Sequence, residues 1–316
     1  MTLDDIKNAI DNAENIVIFA HEKPDGDAIG SSLAFYMAMK NIGKNVDVVI
    51  PHFSDAFSFL PCADEALQKP SLNKYDLAIA LDCGDIKRLD DPNDTFEKSE
   101  VRINIDHHTS NGMFADLNFV NPVSPACAQI ITNMFKYFKY EITQDMATCL
   151  ITGIITDTGG FRYEGVTSET FEIASEFLEK GVKISKIYKE ALSNISRERF
   201  EARKLASNRL EFLENGQIAY TYITKKDMDE LHIDQNDLNG IAENGRDVKG
   251  VEISIFLYET DKGFKASVRS NNYVNVSDLC LLFNGGGHIK AAGCLLPYPL
   301  DEAKERILSQ AKRMLK

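Results

Sequence analysis

At 316 residues the chain exceeds one typical domain, so two domains are the natural expectation, and an apolar share of 44% is enough to build their cores. A net charge of −13 excludes an extended cationic surface that tracks long duplex nucleic acid, because backbone binding needs clustered lysine and arginine. Short phosphorylated ligands, held by a few local cations or metal ions, stay open.

The chain begins with an amphipathic helix, and then a strand at 15–20. A helix is predicted from about 27 to 42, strands at 46–50, 76–82 and 101–106, and helices at about 124–138 and 144–155. Three helical stretches follow between 167 and 214, the last of them charge-laced and ending near Asn215 and Gly216, which reads as a connector. Strands return in QIAYTYIT, VEISIFLYET and GFKASVRS, with a hairpin turn at Asp261–Gly263 between the last two. The expected fold class is α/β: an N-terminal doubly wound parallel-sheet domain over 1–190, a helical linker over 191–216 and a smaller α+β domain over 217–316. No basic region precedes a long apolar stretch and no run of ~20 apolar residues spans a membrane, so the protein is expected to be cytoplasmic, with no membrane partner. The cysteines at 62, 83, 127, 149, 280 and 294 have no paired metal-ligand spacing and are expected to be reduced.

Four apolar runs of β type stop at an acid or a histidine. IVIFA runs into HEKPDGD, with His21, Asp25 and Asp27; LAIAL into Asp82; VRINI into Asp106, His107 and His108; LITGIIT, which overlaps the helix at 144–155, into Asp157. Strands of a parallel sheet are apolar on both faces, and the loops leaving their C-terminal ends meet on one rim, where open α/β folds bind ligands. Acids and imidazoles far apart in the chain therefore converge.

That convergence points to a dinuclear metal centre. His21 and Asp25 leave one strand end at a spacing that suits one ion, Asp27 can turn towards a second, and both ions can share Asp82. Asp25 or Asp27 can also cap the helix that follows, but a cap needs only one oxygen. Of the tandem histidines one is expected to be a ligand and the other to face a substrate phosphate, with Asp106 accepting the ring N–H of the ligand histidine. Asp157 completes the second ion's set, Gly159 and Gly160 let backbone approach closely, and Arg162 is a candidate phosphate fork. Mixed carboxylate and imidazole ligands without thiolate favour Mn2+, with Mg2+, Co2+ or Fe2+ as substitutes. Two such ions can hold an attacking hydroxide and clamp an in-line displacement, which is phosphoester hydrolysis.

The motifs HEKPDGDAIGS, LDCGD, IDHH and TDTGGFRY, followed by SVRSNN and FNGGGHIKAAG, resemble the DHH phosphoesterase superfamily with its DHH-associated C-terminal domain, over nearly the whole chain. The two-domain layout is similar to that of the bacterial nano-RNases. The resemblance implies exonucleolytic hydrolysis of short single-stranded RNA and dephosphorylation of 3′-phosphoadenosine 5′-phosphate (pAp), with cleavage of cyclic di-AMP or its linear product pApA as the alternative. It implies His21, Asp25 and Asp82 on one ion and Asp27, Asp82, His107 and Asp157 on the other, with His108 beside the scissile phosphate. It assigns Arg269 and His288 to a terminal substrate phosphate, with Gly285, Gly286 and Gly287 exposing backbone N–H groups in an anion-binding loop. Asn271 and Asn272 are weaker candidates, and a homodimer is a family-level expectation. Relatives often carry an acid where this chain has Gln129. His52 and His232 match no motif. Phe161, Tyr163 and Tyr273 lie near motifs, but which aromatic stacks on a base is not readable.

Overall fold

The computed structural model describes residues 2–91, 93–163 and 165–316. It divides into two compact units, 1–194 and 195–316. The first contains α1 (Leu3–Asn12), β1 (Asn15–Phe19), α2 (Gly26–Asn41), β2 (Asn45–Val49), β3 (Leu77–Leu81), α3 (Thr95–Lys98), β4 (Val101–Asp106), β5 (Leu117–Val120), α4 (Cys127–Phe138), α5 (Gln144–Asp157), α6 (Ser168–Glu179) and α7 (Ile184–Ile187), with a π-helical segment at Tyr188–Ser193. Its five strands are all parallel, in the order β2-β1-β3-β4-β5.

The strand sequences explain the layering. Along β1, Ile16 and Ile18 enter the core that the long helices build, while Val17 and Phe19 enter a smaller cluster on the opposite face. On β3, Leu77, Ile79 and Leu81 face the helices, and the small Ala78 and Ala80 leave room on the other side for Phe19 and Phe96, whose rings meet edge to face at 6.5 Å. The winding is lopsided: α1, α2, α4 and α5 share one face, and the other is covered by α3 and loops. β5 was not predicted; its four residues, LNFV, are all half-buried at the sheet edge and lack the continuous apolar signal of the inner strands. The run LITGIIT is part of α5, so Asp157 closes a helix and not a strand. Ile151, Thr152, Ile154 and Ile155 are all buried, and for such a segment periodicity does not separate strand from helix.

The second unit contains α8 (Arg197–Asn208), β6 (Glu211–Leu213), β7 (Ile218–Ile223), α9 (Lys225–Leu231), α10 (Ile241–Arg246), β8 (Ile253–Thr260), β9 (Gly263–Ser270), α11 (Val276–Leu281), β10 (Gly286–His288), β11 (Ala291–Leu296) and α12 (Leu300–Arg313). The six-stranded sheet runs β10-β11-β9-β8-β7-β6, with β7 and β8 parallel and the other pairs antiparallel. α11 and α12 cover one face, while α8 and α10 cover part of the other. The segment 191–216, expected as a linker, lies differently: α8 buries Ala202 and Ala206 against the second unit's sheet side, and β6 is that sheet's edge strand. The charged face of α8 masked its short alanine stripe. Among the described residues no helix is long and apolar enough to cross a membrane.

Candidate metal centre

β1 and β3 lie side by side in the parallel sheet, the point where the strand order reverses and where open α/β sheets bind ligands. His21 comes just after β1, Asp82 directly follows β3, and β4 ends on Asp106 with His107 and His108 next. Asp25 and Asp27 sit at the start of α2, and Asp157 ends α5. Their donor atoms form three groups, His21/Asp25/Asp82, Asp27/His107/Asp157 and Asp82/His107/His108, each with its ligand atoms within 4.8 Å of one another. Asp82 and His107 belong to two groups each, so the cluster is continuous.

Asp82 is buried, and its backbone is left-handed at φ 54°. A non-glycine residue there costs on the order of 1 kcal/mol, a strain that functional sites tolerate when the surroundings over-determine it. Its Oδ1 has no hydrogen-bond partner, although His107 Nε2 lies 3.4 Å away, and its Oδ2 is 4.0 Å from His21 Nε2. An orphaned buried carboxylate oxygen between two imidazoles is what a cation would satisfy. The donor set therefore fits a metal.

The remaining acids are placed by the fold. Asp25 Oδ1 accepts from the backbone N–H groups of Asp27 and Ala28 at 3.0 and 3.1 Å, so it caps α2 with one oxygen while belonging to the His21 group. Asp27 is fully buried and accepts from Cys127 N at 2.6 Å and Ala128 N at 2.9 Å. It thereby caps α4, whose own N-cap residue, Ala126, has no side chain to do so. Burial, followed by the proximity of Asp27, pushes Asp82 well above the ordinary carboxylate range. Burial with Asp27 and Asp25 raises Asp157 to about 8. Burial opposes a charge on His107, but Asp82, Asp27 and Asp157 outweigh it and raise its pKa to about 10. So many carboxylates cannot all ionise together without cations, which would invert this balance.

The two histidines differ in what holds them. His107 Nδ1 meets the Ser124 carbonyl at 3.2 Å, so that nitrogen carries the proton and Nε2 faces Asp82 and Asp157, the latter at 3.2 Å. His108 Nδ1 meets Asp106 Oδ1 at 2.7 Å. Asp106 was expected to accept from the ligand histidine; of the two it meets His108, whose ring centroid lies 4.8 Å from that of His107. His108 Nδ1 also lies 3.7 Å from Asp82 Oδ1, but its shorter contact with Asp106 occupies that nitrogen. Asn111 completes the arrangement by donating to Asp106 Oδ2 at 2.6 Å, and His108 and Asn111 together hold the Asp106 pKa low despite its burial.

Arg162 is exposed just past α5, its Nε donating to the Gly159 carbonyl at 2.8 Å. Gly159 and Gly160, expected to let backbone approach closely, make the turn that ends α5: their N–H groups donate to the Thr156 and Ile155 carbonyls. Phe161 stacks on Phe171, while Tyr163 and Tyr273 are largely exposed. The nearby thiols are not ligands. Cys83 and Cys127 donate to backbone carbonyls, and burial raises the Cys83 thiol to about 12. Gln129 ties α4 to α6 through Glu169 and Thr170. His52 is a surface residue paired with Asp90, and His232 ends α9.

In the second unit, Arg269 on β9 is opposite Ala291 on β11, which is opposite His288 on β10. Paired residues share a face, so Arg269 and His288 stand about 10 Å apart at the backbone with only a methyl between them. The glycine run is not the expected loop. Gly286–His288 is an edge strand, and the Gly285 N–H donates to the Cys280 carbonyl. A methyl on Gly285 would lie 2.3 Å from the Gly293 carbonyl, and one on Gly287, at φ +146°, 2.5 Å from that of Ala291. These glycines therefore serve close strand pairing. Asn271 and Asn272 are loop anchors: Asn272 donates to the buried Glu252, and Asn271 to the Arg246 and Val251 carbonyls.

Residues 15–154 match the DHH family, N-terminal domain, and residues 215–316 the DHHA1 domain. The bifunctional oligoribonuclease and PAP phosphatase NrnA of Thermus thermophilus is 34% identical over 306 residues, covering 95% of this chain and 90% of that protein. The chain belongs to the DHH family. A crystal structure of an exopolyphosphatase-related protein from Bacteroides fragilis is similar over 98% of this chain and 95% of its own, with a TM-score of 0.92 and 27% identity. The cyclic-di-AMP phosphodiesterase GdpP of Bacillus subtilis is 26% identical over 96% of this chain, which spans about half of that protein.

Two contributors to this DHH site escaped the sequence reading. Asn111 follows the DHH motif inside an unremarkable loop and has no spacing signal. Gly153 sits in α5 where a methyl would be 2.6 Å from Asp27 Oδ1 and 2.8 Å from Ala128 Cβ. A glycine inside an apolar helical run, where it costs stability against alanine, was the available hint.

Proposed function

We propose that this DHH-family protein is a metal-dependent phosphoester hydrolase that degrades short oligoribonucleotides to mononucleotides and removes a phosphate from pAp. The observation that carries the reading is Asp82, whose unpartnered Oδ1 and strained backbone link two sets of ligand atoms. The likeness to NrnA over 95% of the chain supports the substrate class. His21, Asp25 and Asp82 would hold one divalent ion, and Asp27, Asp82, His107 and Asp157 a second. Carboxylates and imidazoles without thiolate suit Mn2+ first, with Mg2+, Co2+ or Fe2+ as substitutes. Bound there, a pair of ions supplies a nucleophile at neutral pH and neutralises charge on the phosphate.

The protein's own groups do the rest. The Ser124 carbonyl fixes the His107 tautomer, so Nε2 is the ligating atom. Asp106 accepts from His108 Nδ1 and fixes the orientation of the ring, which makes His108 the candidate to protonate the leaving oxygen. Arg162 offers a guanidinium to the phosphate. In the DHHA1 domain, Arg269 and His288 hold a terminal phosphate, with Ala291 leaving space between them; Gly285 and Gly287 keep that strand pair close, and Gly286 borders open space. The free thiols fit work in the cytoplasm. A second reading, cleavage of cyclic di-AMP or pApA, draws on the likeness to GdpP and is weaker because both identity and coverage are lower.

The test is hydrolysis, with Mn2+, of 5′-labelled RNA from dimers to 20-mers beside pAp, pApA and cyclic di-AMP, with Asp27→Asn as the inactive control. Fastest turnover of the shortest RNAs with phosphate release from pAp is the expected outcome. Preference for cyclic di-AMP with slow turnover of the others would replace it with the second reading.

A further inference from the structure

In the second unit, α8, which precedes the DHHA1 match that begins at residue 215, carries Arg199 and Arg203 one turn apart on one face. Like charges at this spacing repel, and normally an acid offsets them. No acid pairs with either here. Among the described residues, the other half-buried arginines, Arg102, Arg209, Arg246 and Arg269, each touch a carboxylate, whereas Arg199 and Arg203 have no ion pair. This happens in a chain whose 48 acids outnumber its 35 lysines and arginines.

The two guanidiniums are also held in place. Arg199 Nη2 donates to the Asn239 carbonyl at 2.9 Å. A methyl on Gly240 would lie 2.9 Å from Arg203 Nη2 and 3.7 Å from Arg199 Nη2, so both groups converge over that glycine, and its lack of a side chain makes their room. The Nε atoms of both arginines are buried without acceptors. Burial, then Arg203, lowers the Arg199 pKa.

The pair lies near Arg269. Glu243, on α10, accepts from Arg269 Nε at 2.9 Å through Oε1, while its Oε2 is buried without a hydrogen-bond partner. α10 packs against both α8 and β9. Three arginines from two elements thus gather about Glu243, with Asp237 also near Arg199, leaving a local excess of one positive charge. An oxyanion is the ligand that neutralises such a group, and guanidinium is the side chain best shaped to hold phosphate.

We propose that Arg199 and Arg203 form a second phosphate subsite of the second unit, which takes the next phosphate of an oligonucleotide whose terminal phosphate is held by Arg269 and His288. Glu243 is the positioning residue that keeps the arginines assembled when no nucleotide is bound. The inference rests on the reading of this protein as a hydrolase of short RNA, and it makes the subsite a determinant of substrate length: pApA has no phosphate to spare for it, pApApA has one.

The experiment is steady-state kinetics of the Mn2+-loaded full chain on pApA and pApApA, for wild type, Arg199→Gln, Arg203→Gln and Arg203→Lys, with circular dichroism as the check on folding. In the two glutamine variants the KM for pApApA should rise at least about tenfold more than the KM for pApA, the loss expected for a charged hydrogen-bonding group. Arg203→Lys, which keeps the charge, should recover part of the difference and guards against a glutamine variant that does not fold. An unchanged KM ratio in folded Arg199→Gln and either folded Arg203 variant overturns the subsite. Failure of the wild type to hydrolyse either compound overturns the functional reading itself, so the two failures are distinguishable.

Discussion

His108 Nδ1 and Asp106 Oδ1 are 2.7 Å apart, and Asn111 holds the other Asp106 oxygen at 2.6 Å. The carboxylate thus has both oxygens committed to fixing one imidazole. Asp106→Asn preserves shape but replaces the carboxylate that accepts from His108 Nδ1, and so loosens the hold on that ring. It should lower kcat about 10–100-fold, as loss of a supporting partner does, with a smaller change in KM. Steady-state kinetics on a dinucleotide settle it; a wild-type kcat would mean that Asp106 is structural only.

Gly153 bears on the same site from the other side. Ala at 153 would push against Asp27 Oδ1 and Ala128 Cβ, where α5 meets α2 and α4. Overpacking of this kind costs about 1–3 kcal/mol, so Tm should fall, and displacement of Asp27 should weaken Mn2+ binding as well. Unchanged Tm and metal affinity would show that the helices yield without cost.

Metal binding should release protons. Without cations, burial and neighbouring acids raise Asp157 to about 8 and push Asp82 the same way, so at pH 7 Asp157 holds a proton that a bound ion must displace. Mn2+ affinity should therefore increase between pH 6 and 8, and the calorimetric heat at pH 7 should vary with the ionisation enthalpy of the buffer. A heat independent of buffer would contradict the protonated cluster.

Much of this site was legible because three of the strands are simple. IVIF, LAIAL and VRINI are buried on both faces, so the polar residues that stop them mark a sheet rim, and His21, Asp82, Asp106, His107 and His108 all fall there. Asp157 was found through a run mistaken in part for a strand, since a fully buried helix has no polar face to reveal its period. The partner of Asp106 was not legible, because which of two consecutive histidines turns back to it depends on the loop path to Asn111. Nor was the glycine strand at 286–288: a GGG run signals backbone freedom, and only the register against Gly293 and Ala291 shows that the freedom is used for strand contact.

The DHHA1 unit should have an acid limit of its own. The Arg209 guanidinium, which grips both Asp227 oxygens, lowers the Asp227 pKa to about 2 from 3.8. The folded state then binds fewer protons than the unfolded one in that interval. The stabilisation is complete above about pH 4 and is lost as pH falls through about 2. Asp227→Asn should lower stability by on the order of 1 kcal/mol at neutral pH and by progressively less towards pH 2. Urea melts across that range measure it; parallel losses for wild type and variant would show that the pair contributes nothing.

His288 and Arg269 lie on one face of the sheet, on strands two apart. His288→Ala should raise KM for 5′-phosphorylated dinucleotides about tenfold with kcat nearly unchanged, because the group binds ground and transition states alike. A fall in kcat with KM unchanged would instead give His288 a role in the reacting geometry.

The most direct measurement is Mn2+ titration of the metal-free protein followed by electron paramagnetic resonance, for wild type and Asp82→Asn. If Asp82 joins two ligand sets into one centre, the wild type binds two ions per chain and shows the signal of a spin-coupled pair, and the variant loses the coupling. One uncoupled ion per wild-type chain would contradict the dinuclear centre.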